Sequence, residues 1–157
     1  MYSDPTGHAV ISIGVALAII GISALIGAID GVITASMSDS NQNLLLAGIA
    51  GAIGGAVSGA LSLISIAIGH PFPIIPARGI GSIISNALND MFQGEFNKEE
   101  TKIEDRIAFY VVDAGFDMIY AMLYASYCFN ITNFYSSAFL NATADTIIDV
   151  IEGSLFW

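Results

Sequence analysis

The sequence is poor in charged residues. Fourteen acidic and four basic side chains make up 11% of its 157 residues, whereas soluble domains carry about 25%. More than half of the chain, 55%, is hydrophobic. This shortage of charge argues against a soluble monomer, because so few charged groups cannot cover the surface of a domain of this size.

Basic residues, cysteines and histidines are scarcer still. With four Lys and Arg and a net charge of −10, the chain is a poor partner for nucleic acid, because phosphate binding depends on Lys and Arg. The single cysteine, Cys128, has no partner for an intrachain disulfide, and His8 and His70 are too few to complete a zinc site with it. We therefore expect no nucleic-acid partner and no metal.

Catalytic signatures are also missing. The sequence contains no GxxxxGK[ST] loop and no GxSxG nucleophile elbow. Gly79 and Gly81 lack the third glycine of a dinucleotide fingerprint. Asp113 and Asp117 could form an acid and base pair, but no nucleophile or metal ligand stands near them in the sequence. These absences predict a protein that is not an enzyme and that uses no cofactor.

Long uncharged stretches are what the sequence does contain. No Asp, Glu, Lys or Arg occurs in 5–29, 40–77 or 118–144, and about 20 apolar residues in a helix cross the ~30 Å hydrocarbon core of a bilayer. Residues 9–29 include eleven Val, Ile or Leu, which contribute ~3 to 7 kcal/mol toward insertion. We predict a hairpin of two transmembrane helices over 9–69, joined by a polar loop at 30–43. A signal peptide is disfavoured because residues 1–8 hold an Asp and no Lys or Arg.

Small residues recur along the second hydrophobic segment, 44–69. Gly51, Gly55 and Gly59 recur every four residues and form a row along the helix, and Gly48 lies beside this row. Such a glycine zipper lets helix backbones approach closely in lipid, where helices have no hydrophobic reason to associate. Two uses of the row remain open, packing within one hairpin and self-association into a homo-oligomer.

Residues 70–106 predict a proline-rich break, an amphipathic helix and a charged linker. Pro71, Pro73 and Pro76 interrupt the second hydrophobic segment. From Ile80 to Met91 the apolar positions follow helical spacing, with Ser, Asn and Asp opposite. This helix could lie in a membrane interface or cover a protein core.

Residues 107–157 are acidic and aromatic and predict a C-terminal helical pair. Asp113 and Asp117 decide whether 107–131 crosses a bilayer. Two ionised Asp cost ~5 to 7 kcal/mol, and the apolar side chains around them return only ~2 to 4 kcal/mol. Two alternatives follow: the carboxylates face water, or they act as a membrane switch that needs protonation or a partner to insert. The fold class predicted for the whole chain is all-α and membrane-associated, with a Gly/Ala-rich helical hairpin followed by amphipathic and acidic aromatic helices.

The distribution of basic residues predicts a topology. All four follow the second hydrophobic segment and precede the third, at Arg78, Lys98, Lys102 and Arg106. Under the positive-inside rule this region is cytoplasmic, and a hairpin of two spans places the N-terminus on the same side. The inference holds only for insertion by a translocon.

The N-terminal residues 1–8 contain Asp4-Pro5-Thr6-Gly7 directly before the hydrophobic region. This resembles the Asp-Pro-x-Gly motif that closes the RHS-repeat-associated core of bacterial polymorphic toxins. The resemblance implies that Asp4 is one of the cleavage aspartates, that Pro5 and Gly7 shape the turn, and that His8 lies near the cut. The second aspartate motif and the shell repeats are absent, so this chain could not cleave itself. An ordinary turn explains the same four residues, because they are good turn formers.

The resemblance and the composition together predict a function. We expect a membrane-inserting toxin tip that is secreted or delivered at the cell surface and then acts on a lipid bilayer by pore formation or depolarisation. The implied partners are the RHS shell upstream and a cognate immunity protein. Two alternatives remain: a non-toxic translocation or packing module of the same class, and a small integral membrane protein in which the Asp-Pro-Thr-Gly sequence is coincidental.

Overall fold

The computed structural model describes residues 13–38, 41–68, 73–95 and 102–128. These residues form four α-helices: α1 Ile13–Met37, α2 Leu44–Ile68, α3 Ile74–Gln93 and α4 Ile103–Cys128. The described part of the chain contains no strand. The prediction of an all-α fold is confirmed.

The four helices pack as an antiparallel row. Helix α1 packs on α2, α2 on α3, and α3 on α4, while the other pairs touch only at isolated points. Consequently α1 and α4 each have one main neighbour and are called the two edges of the row, whereas α2 and α3 each have two main neighbours. The end of the row that holds the α1–α2 and α3–α4 connections is called the polar end, because the polar side chains of Asn43, Asp90, Gln93, Glu95 and Arg106 make contacts there.

Helices α1 and α2 are long and apolar enough to cross a membrane. The 25 residues of α1 extend about 37 Å at ~1.5 Å per residue, which exceeds a ~30 Å hydrocarbon core. A core helix of a soluble protein has similar length and composition, but none of the most apolar window of α1 is buried. The described helices therefore do not bury the apolar surface of α1.

Helix α1 continues further than the sequence indicated. The predicted loop at 30–43 is too long, because α1 extends through Asp30 to Met37 and the connection occupies only 38–43. After Asp30 the chain returns to Gly31-Val32-Ile33 and packs again on α2, where Gly31 lies against the backbone of Ala47. The packing of these residues on α2 keeps α1 helical past the half-buried Asp30, where the sequence predicted that the helix would end.

Helix α3 begins at Ile74 rather than near Ile80 and includes Pro76 in its first turn. Proline is tolerated there because the first amide groups of a helix have no intrahelical acceptor. The helix ends at Gln93. It is capped by Gly94, which has a left-handed φ of 71° and whose N–H bonds to the carbonyls of Asp90 and Met91. Helix α4 then starts at Ile103, within the predicted charged linker.

Candidate membrane-inserting surface

The contact between α1 and α2 is made by backbone against backbone. A Cβ atom added at Gly27 would overlap the carbonyl oxygen of Gly51, and one added at Gly55 would overlap that of Ser23. No residue larger than glycine fits these positions without moving a helix. Close approach of this kind is the packing mode available to helices in lipid.

All four glycines predicted to pack lie on the α1 side of α2. Gly51 and Gly55 form the backbone contact itself. A Cβ added at Gly59 would lie 2.7 Å from the Ser23 hydroxyl oxygen, and one at Gly48 would lie 2.9 Å from the side chain of Val32. In the structure this row therefore packs within one chain.

A second close contact, between α2 and α3, was not predicted from the sequence. A Cβ added at Gly54 would lie 2.6 Å from the carbonyl oxygen of Gly81, and one at Gly81 would lie 2.8 Å from that of Gly54. The available signal was the pair Gly54-Gly55, because adjacent helical residues point about 100° apart. Gly55 packs against α1, and Gly54 packs against α3.

The outer surface of the hairpin is apolar. Leu17 and Leu25 of α1 are 64% and 62% exposed, and Leu45 of α2 is 71% exposed. Further large apolar side chains are exposed on the same two helices, among them Ile22, Ile29, Val32, Ile49, Ile53 and Ile64. Soluble monomers rarely expose apolar patches that extend over whole helices, so this surface is suited to lipid or to protein.

Polar side chains line the contact between α3 and α4. The Ser82 hydroxyl donates a hydrogen bond of 2.5 Å to Asp113 Oδ2, and the Asn86 side-chain amide donates one of 2.6 Å to the same oxygen. Asp113 is half-buried, and its carboxylate is directed at α3. Asp117, one turn further along α4, is also half-buried. Ser82, Asn86 and Asp113 are called the polar seam below.

Buried acids occupy the polar end of the row. Asp90 and Glu95 are both buried, and Arg106 of α4 lies 3.2 Å from Asp90 and 3.1 Å from Glu95. The Tyr110 hydroxyl donates a further hydrogen bond to Asp90. Buried carboxylates need such partners, because an uncompensated buried charge is strongly destabilising.

The same end joins α3 to the start of α2. The backbone N–H of Asn43 donates to Gln93 Oε1 at 2.8 Å, and Gln93 Nε2 donates back to the Asn43 carbonyl at 3.0 Å. The side chain of Asn43 also caps α2 by accepting from the N–H groups of Leu45 and Leu46. Polar contacts are therefore concentrated where three helix ends meet.

Several predicted features lie outside the described residues. They include the cleavage-motif residues Asp4, Pro5, Gly7 and His8, and the C-terminal part of the helical pair at 129–157. Among the described residues, no group of three or more His, Cys, Asp or Glu is placed to hold a metal ion.

Comparisons with protein-family models, with curated proteins and with solved structures yielded no match.

Proposed function

We propose that this chain inserts into a lipid bilayer through the α1–α2 hairpin and acts as the membrane-active tip of an RHS-type polymorphic toxin. The observation that carries the insertion step is the combination of backbone contact inside the hairpin with apolar side chains outside it. Gly27, Gly51 and Gly55 hold the two backbones together, so the large side chains of both helices are free to face lipid. The toxin assignment rests on the resemblance of Asp4-Pro5-Thr6-Gly7 to the closing motif of the RHS core.

The hairpin is a suitable unit of insertion. The helices are antiparallel and of equal length, 25 residues each, and the connection between them is polar. Beyond the first turn, the backbone N–H groups of each helix bond to carbonyls of the same helix, which is the requirement for crossing hydrocarbon. Only the short connection 38–43 then has to reach the far side of the bilayer.

Depolarisation is the proposed consequence of insertion. A single pair of tightly packed helices encloses no aqueous path, so ion flow requires several copies or the polar groups of the remaining helices. A homo-oligomer in the target membrane meets this requirement. The RHS shell upstream would enclose the apolar helices until delivery, and an immunity protein would protect the producing cell.

Release of ions or dye from liposomes tests the proposal. We expect release at pH 7 or pH 5 for the natural chain and at least a several-fold loss for Gly55→Leu. The matched control is Gly14→Leu, because nothing lies within 4 Å of a Cβ at Gly14. Intact vesicles at both pH values would refute depolarisation.

Membrane extraction of the same samples separates the toxin from its alternatives. A chain that resists carbonate extraction but leaves vesicles intact is an anchoring or translocation module instead. The origin of the chain is tested independently by the position of its coding region, which we expect directly downstream of RHS repeats. A coding region far from any such repeats would make the Asp-Pro-Thr-Gly match coincidental.

A further inference from the structure

The outer face of α4 is apolar from Ile107 to Leu123. Every residue of 107–123 that is exposed is uncharged and apolar, and the large members of the set are Ile107, Phe109, Val111, Val112, Phe116, Ile119, Met122 and Leu123. Yet α4 is not among the helices whose composition qualifies them as membrane spans. Its two central acids, Asp113 and Asp117, lower its mean hydropathy.

Those acids are on the other face of the helix. Asp113 is bonded to Ser82 and Asn86 in the polar seam, and Asp117 lies one turn away on the same side. A helix that packs on a soluble core shows the opposite arrangement, with apolar residues inside and charges outside. Polar groups directed at a neighbouring helix and apolar groups directed outward are the arrangement found in membrane bundles.

The length of the apolar face suits a bilayer. Arg106, with its buried partners Asp90 and Glu95, marks the polar end, and Leu123 lies about 25 Å further along the helix at ~1.5 Å per residue. Asp113 is about 10 Å from Arg106 on the same scale, so it would lie inside the hydrocarbon core. A carboxylate at that depth needs hydrogen-bond donors from a neighbouring helix, and Ser82 and Asn86 supply two.

We infer that α3 and α4 enter the bilayer as a pair, with the outer face of α4 in contact with lipid hydrocarbon. This rests on the proposed insertion of α1–α2 and extends it from a hairpin to a four-helix membrane domain. Insertion of α4 requires a partner for Asp113, and α3 provides this partner through Ser82 and Asn86. Lipid fits the surface better than a second copy of the chain, because apolar side chains are exposed at both edges of the row, on α1 and on α4. A single dimer contact would cover one edge and leave the other in water.

Depth-dependent fluorescence quenching tests the inference in the full chain. Cys128→Ser removes the only cysteine, and an environment-sensitive dye is then attached at Phe116→Cys on α4, at Leu25→Cys on α1, or at Lys102→Cys beyond the polar end. The vesicles contain phosphatidylcholine and phosphatidylglycerol with a quencher at mid-chain. We expect equal quenching at Phe116→Cys and Leu25→Cys, and several-fold weaker quenching at Lys102→Cys.

The possible failures are distinguishable. Quenching at Leu25→Cys without quenching at Phe116→Cys overturns the inference and leaves the hairpin proposal intact. A dye at Phe116→Cys that is shielded from water but not quenched identifies a protein partner on this face, which also overturns it. If neither site is quenched, the proposed insertion fails as a whole.

The polar seam provides a second test. Ser82→Ala combined with Asn86→Ala removes both donors to Asp113, so we expect quenching at Phe116→Cys to fall at least several-fold while that at Leu25→Cys persists. The control is Ser85→Ala, which keeps the Cβ that faces Gly54 and changes nothing in the seam. Unchanged quenching at Phe116→Cys in the double variant would overturn the role assigned to the seam.

Discussion

At the scale of single residues, the hairpin depends on the absence of side chains. Gly51→Ala would add a Cβ that overlaps the carbonyl oxygen of Gly27, so one methyl group forces the helices apart. We expect a loss of about 1–3 kcal/mol in unfolding free energy, the usual cost of overpacking. Chemical unfolding in detergent micelles, followed by circular dichroism, measures it. The matched control Gly21→Ala meets no atom within 4 Å and should leave stability unchanged or slightly higher.

A second prediction at this scale concerns the buried acid at the polar end. Tyr110→Phe removes the hydroxyl that donates to Asp90, while Arg106 remains as the other partner. Hydrogen bonds to charged groups contribute about 1.5–3 kcal/mol, so we expect a loss of that size. A double-mutant cycle with Asp90→Ala, which removes the acceptor, isolates the pair. Strictly additive effects of the two substitutions would show that the contact contributes nothing to stability.

At the scale of helices, the α1–α2 connection is held by one capping residue. Asn43 accepts from the N–H groups of Leu45 and Leu46, which would otherwise lack acceptors in the first turn of α2. We expect Asn43→Ala to cost about 0.5–2 kcal/mol and Asn43→Asp to cost little, because aspartate is an equally good cap. Unfolding midpoints of the two variants in the same detergent check this, and equal losses would contradict it.

The helices themselves were largely predictable, but their partners were not. The uncharged stretch before Asp30 and the glycine row of α2 predict two apolar helices from hydropathy and spacing alone. The continuation of α1 through Asp30 could not be predicted, because it depends on the contact between Gly31 and Ala47. The polar seam could not be predicted for the same reason. In the sequence Ser82 and Asn86 are ordinary polar residues of an amphipathic helix, and only the packing of α4 on α3 brings Asp113 into contact with them.

For the whole molecule, four membrane-spanning helices would place the basic residues on both sides of the bilayer, whereas the α1–α2 hairpin alone places all four on one side. Arg78 lies near the start of α3, and Arg106 lies near the start of α4, at the opposite, polar end. Lys98 and Lys102 belong to the α3–α4 connection, which joins two helix ends at the polar end. If α3 and α4 cross the bilayer, three of the four basic residues fall on one side. The single cytoplasmic region expected for 70–106 is then split by α3.

This division predicts a topology that a two-helix hairpin cannot adopt. Under the positive-inside rule, four spans inserted by a translocon place the polar end in the cytoplasm and the start of α1 outside. In a Cys128→Ser background, we expect an impermeant maleimide to label Ile13→Cys on intact cells and to label Lys102→Cys only after permeabilisation. A hairpin with 70–106 as one cytoplasmic loop instead protects both positions, since both then lie inside. Labelling of Lys102→Cys but not of Ile13→Cys would show four spans oriented against the charge rule, as for a protein that enters its target membrane without a translocon.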